Sequence, residues 1–273
     1  MRSTSNPAFR KLPVGSAGQY GPNVGFNQPL GGGPAYGGPQ APSGAADRPM
    51  TVDDVVIKTG LSLATALVTG VLSGIWAIGQ AESRALGAVV GLMFAAMLVG
   101  FVLSMVIIFR RKPSGVMTLL YSAVEGVFLG AISGLFEMIY PGIVLKAIIG
   151  TAGVFAAMLV VYKTGAVKVT PRLTKWIIGA TGGVIVMIFV DLLLGLFNVD
   201  LGLRSGGPLA ILFSLVVIGV AAFNFLLDFD MADRMIREGM PSRWAWFAAF
   251  GLMVTLVWLY LEILRLLSYL QND

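Results

Sequence analysis

Seven apolar runs, each about as long as a membrane-spanning helix, govern how this chain can fold. They cover about residues 55–79, 85–109, 116–139, 143–162, 176–197, 208–227 and 244–270. Roughly 20 apolar residues are needed to cross the hydrocarbon core of a bilayer as a helix. Only 12% of the 273 residues are charged, whereas soluble domains contain about 25%. The sequence therefore predicts an all-α integral membrane protein with seven transmembrane helices, in which the seventh helix is central.

The ends of these runs carry signals that support the assignment. Five prolines outside the N-terminal region fall in or beside predicted connections, where a missing backbone N–H does no harm: Pro113, Pro141, Pro171, Pro208 and Pro241. Thr51 is followed three residues later by Asp54, which is the pattern of a capping box. We therefore expect a membrane domain over residues 51–273 that begins with this cap.

Residues 1–50 differ from the rest of the chain in composition. They hold 8 of the 13 prolines and 10 glycines. Such a segment buries too little apolar surface to offset its conformational entropy, so we predict a disordered tail. Two interpretations of the tail stay open, namely a solvated extension and a docking segment for a partner protein.

The basic residues in the connections predict the orientation in the membrane. Connections two, four and six hold ten Lys and Arg residues, whereas connections one, three and five hold three. Because basic residues are enriched on the cytoplasmic side, we expect the even connections and the N-terminus to be cytoplasmic. The predicted location is the inner (plasma) membrane, as a multi-pass protein with its C-terminus outside.

The composition also excludes several functions. The chain has no Cys and no His, which rules out Ser-His and Cys-His nucleophile pairs and the HExxH zinc motif. We expect no enzymatic activity and no cofactor. The net charge of +5 reflects basic residues that flank apolar runs, so we predict a lipid bilayer rather than nucleic acid as the partner.

Small residues recur at four-residue spacing in three of the runs: Ala66, Gly70 and Gly74; Gly126, Gly130 and Gly134; and Gly179 and Gly183. Such stripes let helix backbones approach closely in a membrane. We interpret them as packing within one molecule. The alternative is an oligomer seam, and the sequence leaves the oligomeric state open.

Four carboxylates lie within the predicted spans: Glu125, Asp191, Asp228 and Glu262. An ionisable group at the centre of a bilayer costs about 2.5–3.5 kcal/mol on insertion scales unless it faces protein or water. Glu125 lies near the middle of its run, at a depth of about 14 Å. Asp228 and Glu262 lie on consecutive helices and are the strongest candidates for function.

Three of these acids also have a structural interpretation. Asp191 is an interfacial residue that reaches water, and Asp228 is a helix-end acid beside Asp230, Asp233 and Arg234. Glu262 pairs with Arg265, three residues on and on the same helix face.

Several short motifs resemble the Bax inhibitor-1 family of membrane proteins, as a bacterial member. They are Phe225-Leu226-Leu227-Asp228, the run from Trp258 to Leu264, Phe109-Arg110-Arg111-Lys112, and the run from Tyr121 to Gly126. The resemblance covers roughly residues 50–270. It implies a calcium leak in which acids on helices six and seven sense pH and a base at the end of helix two latches the helix-six acid.

Transferred to this sequence, the resemblance implies that Asp228 and Glu262 are the acids and Arg110 is the latching base. Glu125 and Asp191, as further acids within predicted spans, are candidates for a pore or a polar core. Three departures stand out. The helix-seven acid is Glu rather than Asp, a further family acid in helix two falls at about Val99, and the stretch between Asp228 and Glu262 is long. If the turn centres near Met240, Asp228 lies opposite about residue 252, which leaves Glu262 about 15 Å deeper.

Two functions follow from these residues. In the first, Asp228 and Glu262 share one proton, because two close carboxylates cannot both ionise cheaply. Loss of that proton opens a path for Ca²⁺, which prefers oxygen ligands and would bind these acids only transiently, without a fixed metal site. In the alternative, the protein conducts nothing and is a stress-response regulator that binds a membrane-protein partner such as a membrane protease.

Overall fold

The computed structural model describes residues 48–82, 85–110, 112–197, 202–203 and 206–271. This part of the chain forms seven long helices: α1 (Val52–Glu82), α2 (Leu86–Arg110), α3 (Gly115–Ile139), α4 (Ile143–Thr164), α5 (Pro171–Gly195), α6 (Pro208–Arg237) and α7 (Ala245–Gln271). A short 3₁₀ turn at Ser242–Trp244 leads into α7. All seven helices are long and apolar enough to cross a membrane, which confirms the predicted fold class.

The sixth helix is longer than its apolar run. The run was predicted to end near residue 227, but α6 continues to Arg237. The extension is stabilised by two ion pairs at i,i+4 spacing, Asp230–Arg234 at 2.6 Å and Asp233–Arg237 at 2.9 Å. As a consequence, Asp228 lies inside the helix, nine residues before its end, rather than at the helix end.

The seventh helix is the centre of the bundle. In α7, 67% of the most apolar stretch is buried, against 17% in α1, α2, α4 and α5. It packs against α6, α1, α4 and α3. This arrangement confirms the predicted central position of α7 and surrounds its polar side chains with protein.

Glycines bring α1 and α3 into backbone contact. A Cβ atom added to Gly130 would lie 2.0 Å from the Gly70 carbonyl oxygen, and one added to Gly126 would lie 2.3 Å from that of Ala66. Close approach of this kind confirms the packing predicted for the first two small-residue stripes. The stripe on α5 is different, because Gly179 and Gly183 have open space around them and do not pack within the molecule.

The segment just before α1 pairs with the α6–α7 connection. Pro49 and Pro241 form an isolated antiparallel bridge. The Met50 N–H donates to the Met240 carbonyl and the Ser242 N–H donates to the Arg48 carbonyl, both at 2.8 Å. Met50 is 2% exposed. Residues 48–50, at the end of the predicted tail, are thus hydrogen-bonded to this connection, and Met50 is buried. Residues 1–47, where the rest of the predicted disorder falls, lie outside the described part.

The capping box at the start of α1 is present. The Thr51 N–H donates to Asp54 Oδ2 at 3.0 Å, and the Asp54 N–H donates to the Thr51 hydroxyl at 3.4 Å. Arg48 adds two hydrogen bonds to the same carboxylate, at 2.8 and 2.7 Å. The Asp54 carboxylate therefore joins the cap of α1 to the paired segment before it.

Candidate functional site

Asp228 reaches from α6 to the central helix. The Thr255 hydroxyl on α7 donates to Asp228 Oδ2 at 2.6 Å. A Cβ atom on Gly251, one turn earlier on α7, would lie 3.7 Å from Asp228 Oδ1. The carboxylate therefore sits against a small residue and a hydroxyl, in the register that the sequence predicted for a turn near Met240.

The partner of Asp228 is neutral. In the described part of the chain, four other acids form ion pairs with arginines: Asp54 with Arg48, Asp230 with Arg234, Asp233 with Arg237 and Glu262 with Arg265. The bases beside Asp228 on α6 are thus engaged by Asp230 and Asp233. No ion pair among these residues includes Asp228. Asp228 lies close to Asp230, Asp233 and Arg234 on α6, as the structural interpretation has it, but nine residues before the helix end.

Glu262 has a different environment. Its side chain is buried, at 5% exposure, and it forms an ion pair with Arg265 on the same helix face. The Ser268 hydroxyl donates to the Arg265 carbonyl at 2.7 Å. This pair confirms the structural interpretation of Glu262, because an internal base balances the buried charge.

The two acids are not brought together. Asp228 contacts α7 at Gly251 and Thr255, and the seven residues from Thr255 to Glu262 advance the helix by about 10 Å. The cause is the antiparallel hairpin, in which the α6–α7 turn fixes the register and no insertion restores it. Asp228 and Glu262 therefore do not share a proton, contrary to the expectation. Asp228 is bonded to the neutral Thr255 hydroxyl, and Glu262 forms an ion pair with Arg265.

Arg110 does not latch Asp228 in this structure. It is the exposed last residue of α2, and α2 packs on α3 and α1, whereas α6 packs mainly on α7, α4 and α5. None of the ion pairs found in the described segments includes Arg110. The expected contact is not seen, because α2 and α6 pack chiefly against different helices in the described part of the chain.

Glu125 lies on the other side of the bundle. Its half-buried carboxylate faces α2, where a Cβ atom on Gly100 would lie 2.8 Å from Glu125 Oε1. Tyr121, one turn earlier on α3, forms a hydrogen bond with it. Gly100 thus leaves space for a buried acid between α2 and α3, away from Asp228.

Asp191 is half-buried on α5, four residues before Gly195 at the end of that helix. Only Ile177 and Val184 of α5 are buried among its described residues, so a small part of the surface of this helix packs against the other helices. This position agrees with the interfacial interpretation of Asp191. Asp191, Asp228 and Glu125 lie on three different helices, α5, α6 and α3.

Sequence reasoning missed Thr255. The residue is a single hydroxyl in an apolar helix, and Thr and Ser occur at several such positions, where most donate to the carbonyl four residues earlier, as Thr151 does to Ala147. What distinguishes Thr255 is its place opposite Asp228. The predicted register, which placed residue 252 there, was the only signal that could have found it.

The described acids do not cluster as the ligands of a metal site do. Within the segments that the structure describes, no group of three or more Asp, Glu, His or Cys side chains converges. Ca²⁺ takes six to eight oxygen ligands in stable sites. A cation at Asp228 would therefore keep most of its water or use backbone carbonyls.

The described residues define an all-helical membrane protein of seven spans, with an acid and a hydroxyl joined between α6 and a buried central α7. The family model described as Bax inhibitor 1 like matches residues 6–272. The chain therefore belongs to the Bax inhibitor 1 like family, and the resemblance seen in its motifs is confirmed. A search of curated proteins found no match.

Proposed function

We propose that this protein is a pH-sensitive cation leak of the membrane, with Ca²⁺ as the permeant ion and Asp228 as the residue whose protonation controls it. The family resemblance implies a calcium leak, and the half-buried acid of α6, Asp228, supplies a group that a proton can switch. The proposal does not use a proton shared with Glu262, since the two acids lie on separate parts of α7.

The observation that carries the proposal is the neutral partner of Asp228. A buried carboxylate paired with arginine is balanced at all ordinary pH, as Glu262 is by Arg265. The Thr255 hydroxyl brings no charge, so only a proton or a cation can balance Asp228. Protonated Asp228 keeps α6 and α7 together, whereas the ionised form attracts water and cations into the contact.

Calcium flux into proteoliposomes tests this proposal. We expect the flux to be low in mildly acidic buffer and to rise in mildly alkaline buffer. Asp228→Asn mimics the protonated acid, and we expect low flux at every pH. The matched control is Asp230→Asn, two residues along the same helix, whose acid is paired with Arg234. Flux that ignores pH, or an equal effect of both variants, would contradict the proposal.

The orientation is part of the same proposal. We infer a cytoplasmic N-terminus at the inner membrane from the excess of basic residues in the α2–α3, α4–α5 and α6–α7 connections. Because the chain has no cysteine, single-cysteine variants report topology directly. A membrane-impermeant maleimide should label Pro141→Cys on intact cells and should label Glu238→Cys only after the cells are opened. The reverse pattern would invert the assignment.

A second candidate function is a membrane regulator that binds a partner through its tail. The observation in its favour is the bridge between Pro49 and Pro241, which connects the C-terminal end of the tail to the α6–α7 connection. Deletion of residues 1–47 separates the two candidates. A leak should keep its flux and pH dependence without the tail, whereas a tail-dependent regulator should lose its activity while any flux stays unchanged.

A further inference from the structure

A groove runs along the outside of the bundle between α1 and α4. Its volume is about 670 Å³, and its walls come from α1, α3, α4 and α7. On α1 the lining extends from Leu63 to Ile78, and the fifteen steps between these residues span about 22 Å along the helix. The floor is formed by Leu256 and Val257 of the central helix. We call this feature the α1–α4 groove.

The polar side chains of the groove are already bonded inside the protein. The Ser133 and Tyr260 hydroxyls share a hydrogen bond of 2.7 Å, and the Thr151 hydroxyl donates to the Ala147 carbonyl at 2.8 Å. The Glu137 carboxylate accepts from the N–H groups of Gly142 and Val144 at the start of α4, at 2.6 and 3.1 Å. The surface left for an occupant is therefore apolar, which disfavours water and ions.

The groove is continuous with the surface that faces lipid. Its rims carry large apolar side chains, among them Val71 at 56% exposure on α1 and Leu145 at 64% on α4. The two rim helices pack on other neighbours, α1 chiefly on α3 and α4 chiefly on α7 and α6. The groove therefore opens sideways toward the hydrocarbon of the bilayer rather than toward water.

The occupant of the groove follows from its lining and its open side. The polar side chains that line it are bonded within the protein, so an occupant meets only apolar surface, and the open side of the groove faces the acyl chains of neighbouring lipids. The lining extends over about 22 Å of α1. The length is more than half of the ~30 Å hydrocarbon thickness, so one chain can lie in it from the interface inward.

We propose that the α1–α4 groove binds one acyl chain of a phospholipid from the leaflet that contains the α3–α4 connection. The groove is closed on the inner side by the contact of α1 with α3 and by α7, so the bound chain reaches the central helix and is separated from the bulk lipid. The binding free energy comes from van der Waals contacts in a long apolar space that no protein side chain fills. This site is independent of the proposed ion conduction.

Photolabelling tests the site. The full chain is reconstituted in liposomes of phosphatidylcholine that carries a diazirine in one acyl chain, irradiated, digested and mapped by mass spectrometry. We expect adducts on Leu256 and Val257, because lipid in the groove touches this face of α7 and bulk lipid does not. Absence of adducts on the α7 floor would overturn the proposal.

Two pairs of variants make the test specific. Ala152→Trp places a large ring in the groove, whereas Ala157→Trp places it on an exposed face of α4 outside the groove. We expect the first to reduce the α7 adducts several-fold and the second to leave them unchanged. Val71→Trp against Leu72→Trp repeats the comparison from α1, in case one variant fails to fold. Equal labelling in the groove and control variants of a folded pair would contradict a site in the groove.

Discussion

The Thr255 hydroxyl on α7 donates a hydrogen bond of 2.6 Å to the Asp228 carboxylate on α6. This contact joins the central helix to Asp228, the acid that directly follows the apolar run of α6. Among the described residues, no ion pair includes Asp228. Under the proposed function, the protonation state of Asp228 decides how tightly α6 and α7 stay together.

Removal of the Thr255 hydroxyl should destabilise the α6–α7 contact. Thr255→Val keeps the shape of the side chain but leaves the half-buried Asp228 carboxylate without its donor, which costs up to about 1–3 kcal/mol. We expect a lower melting temperature in detergent, and a larger loss in alkaline than in acidic buffer, because only the ionised acid needs the donor fully. Thr255→Ser, which keeps the hydroxyl, is the control. Equal stability of the Val and Ser variants would show that the hydrogen bond contributes nothing.

The glycine contact between α1 and α3 should tolerate no side chain. A Cβ atom on Gly130 would lie 2.0 Å from the Gly70 carbonyl oxygen, so Gly130→Ala forces the two helices apart at a cost of about 1–3 kcal/mol. Thermal unfolding in detergent measures the loss. Gly179→Ala on α5 is the matched control, since nothing lies within 4 Å of its added Cβ. A similar loss in both variants would mean that α1 and α3 do not pack through these glycines.

The bridge between the N-terminal segment and the α6–α7 connection can be tested by a disulfide. Directly opposed residues of an antiparallel pair have Cα atoms about 4.5–5.5 Å apart, which suits a disulfide. The chain has no other cysteine, so Pro49→Cys with Pro241→Cys should oxidise readily and shift on a non-reducing gel after cleavage of the chain between them. Pro49→Cys with Glu238→Cys, an exposed position three residues away, is the control and should form little disulfide. Poor oxidation of the first pair would contradict the bridge.

The sequence specified the helices better than the contacts between their polar residues. The seven runs, the Thr51–Asp54 cap and the α1–α3 glycine contact followed from hydrophobicity, hydrogen-bond chemistry and residue size, which act over a few residues. The packing of Met50 and the partner of Asp228 depend on which helices become neighbours. The contact expected between Arg110 and Asp228 is not seen for the same reason. A basic residue at a helix end does not indicate which helix packs beside it.

The Glu262–Arg265 pair should behave as a structural unit. Glu262→Gln leaves the half-buried Arg265 guanidinium without its counter-charge, which costs up to about 3–5 kcal/mol. The double variant Glu262→Gln with Arg265→Met removes both charges, and we expect it to recover much of the stability. A double-mutant cycle on melting temperature measures the coupling. Independent, additive losses would show that the two side chains do not depend on each other.

The central claim is that the proton on Asp228 controls the leak, and infrared spectroscopy tests it most directly. The carbonyl band of a protonated carboxyl that is present in the wild type and absent in Asp228→Asn belongs to Asp228. Calcium flux is measured on the same proteoliposomes across the same pH series. We predict that this band disappears over the interval in which flux rises. A band that persists while flux rises, or that disappears while flux stays constant, would contradict the claim.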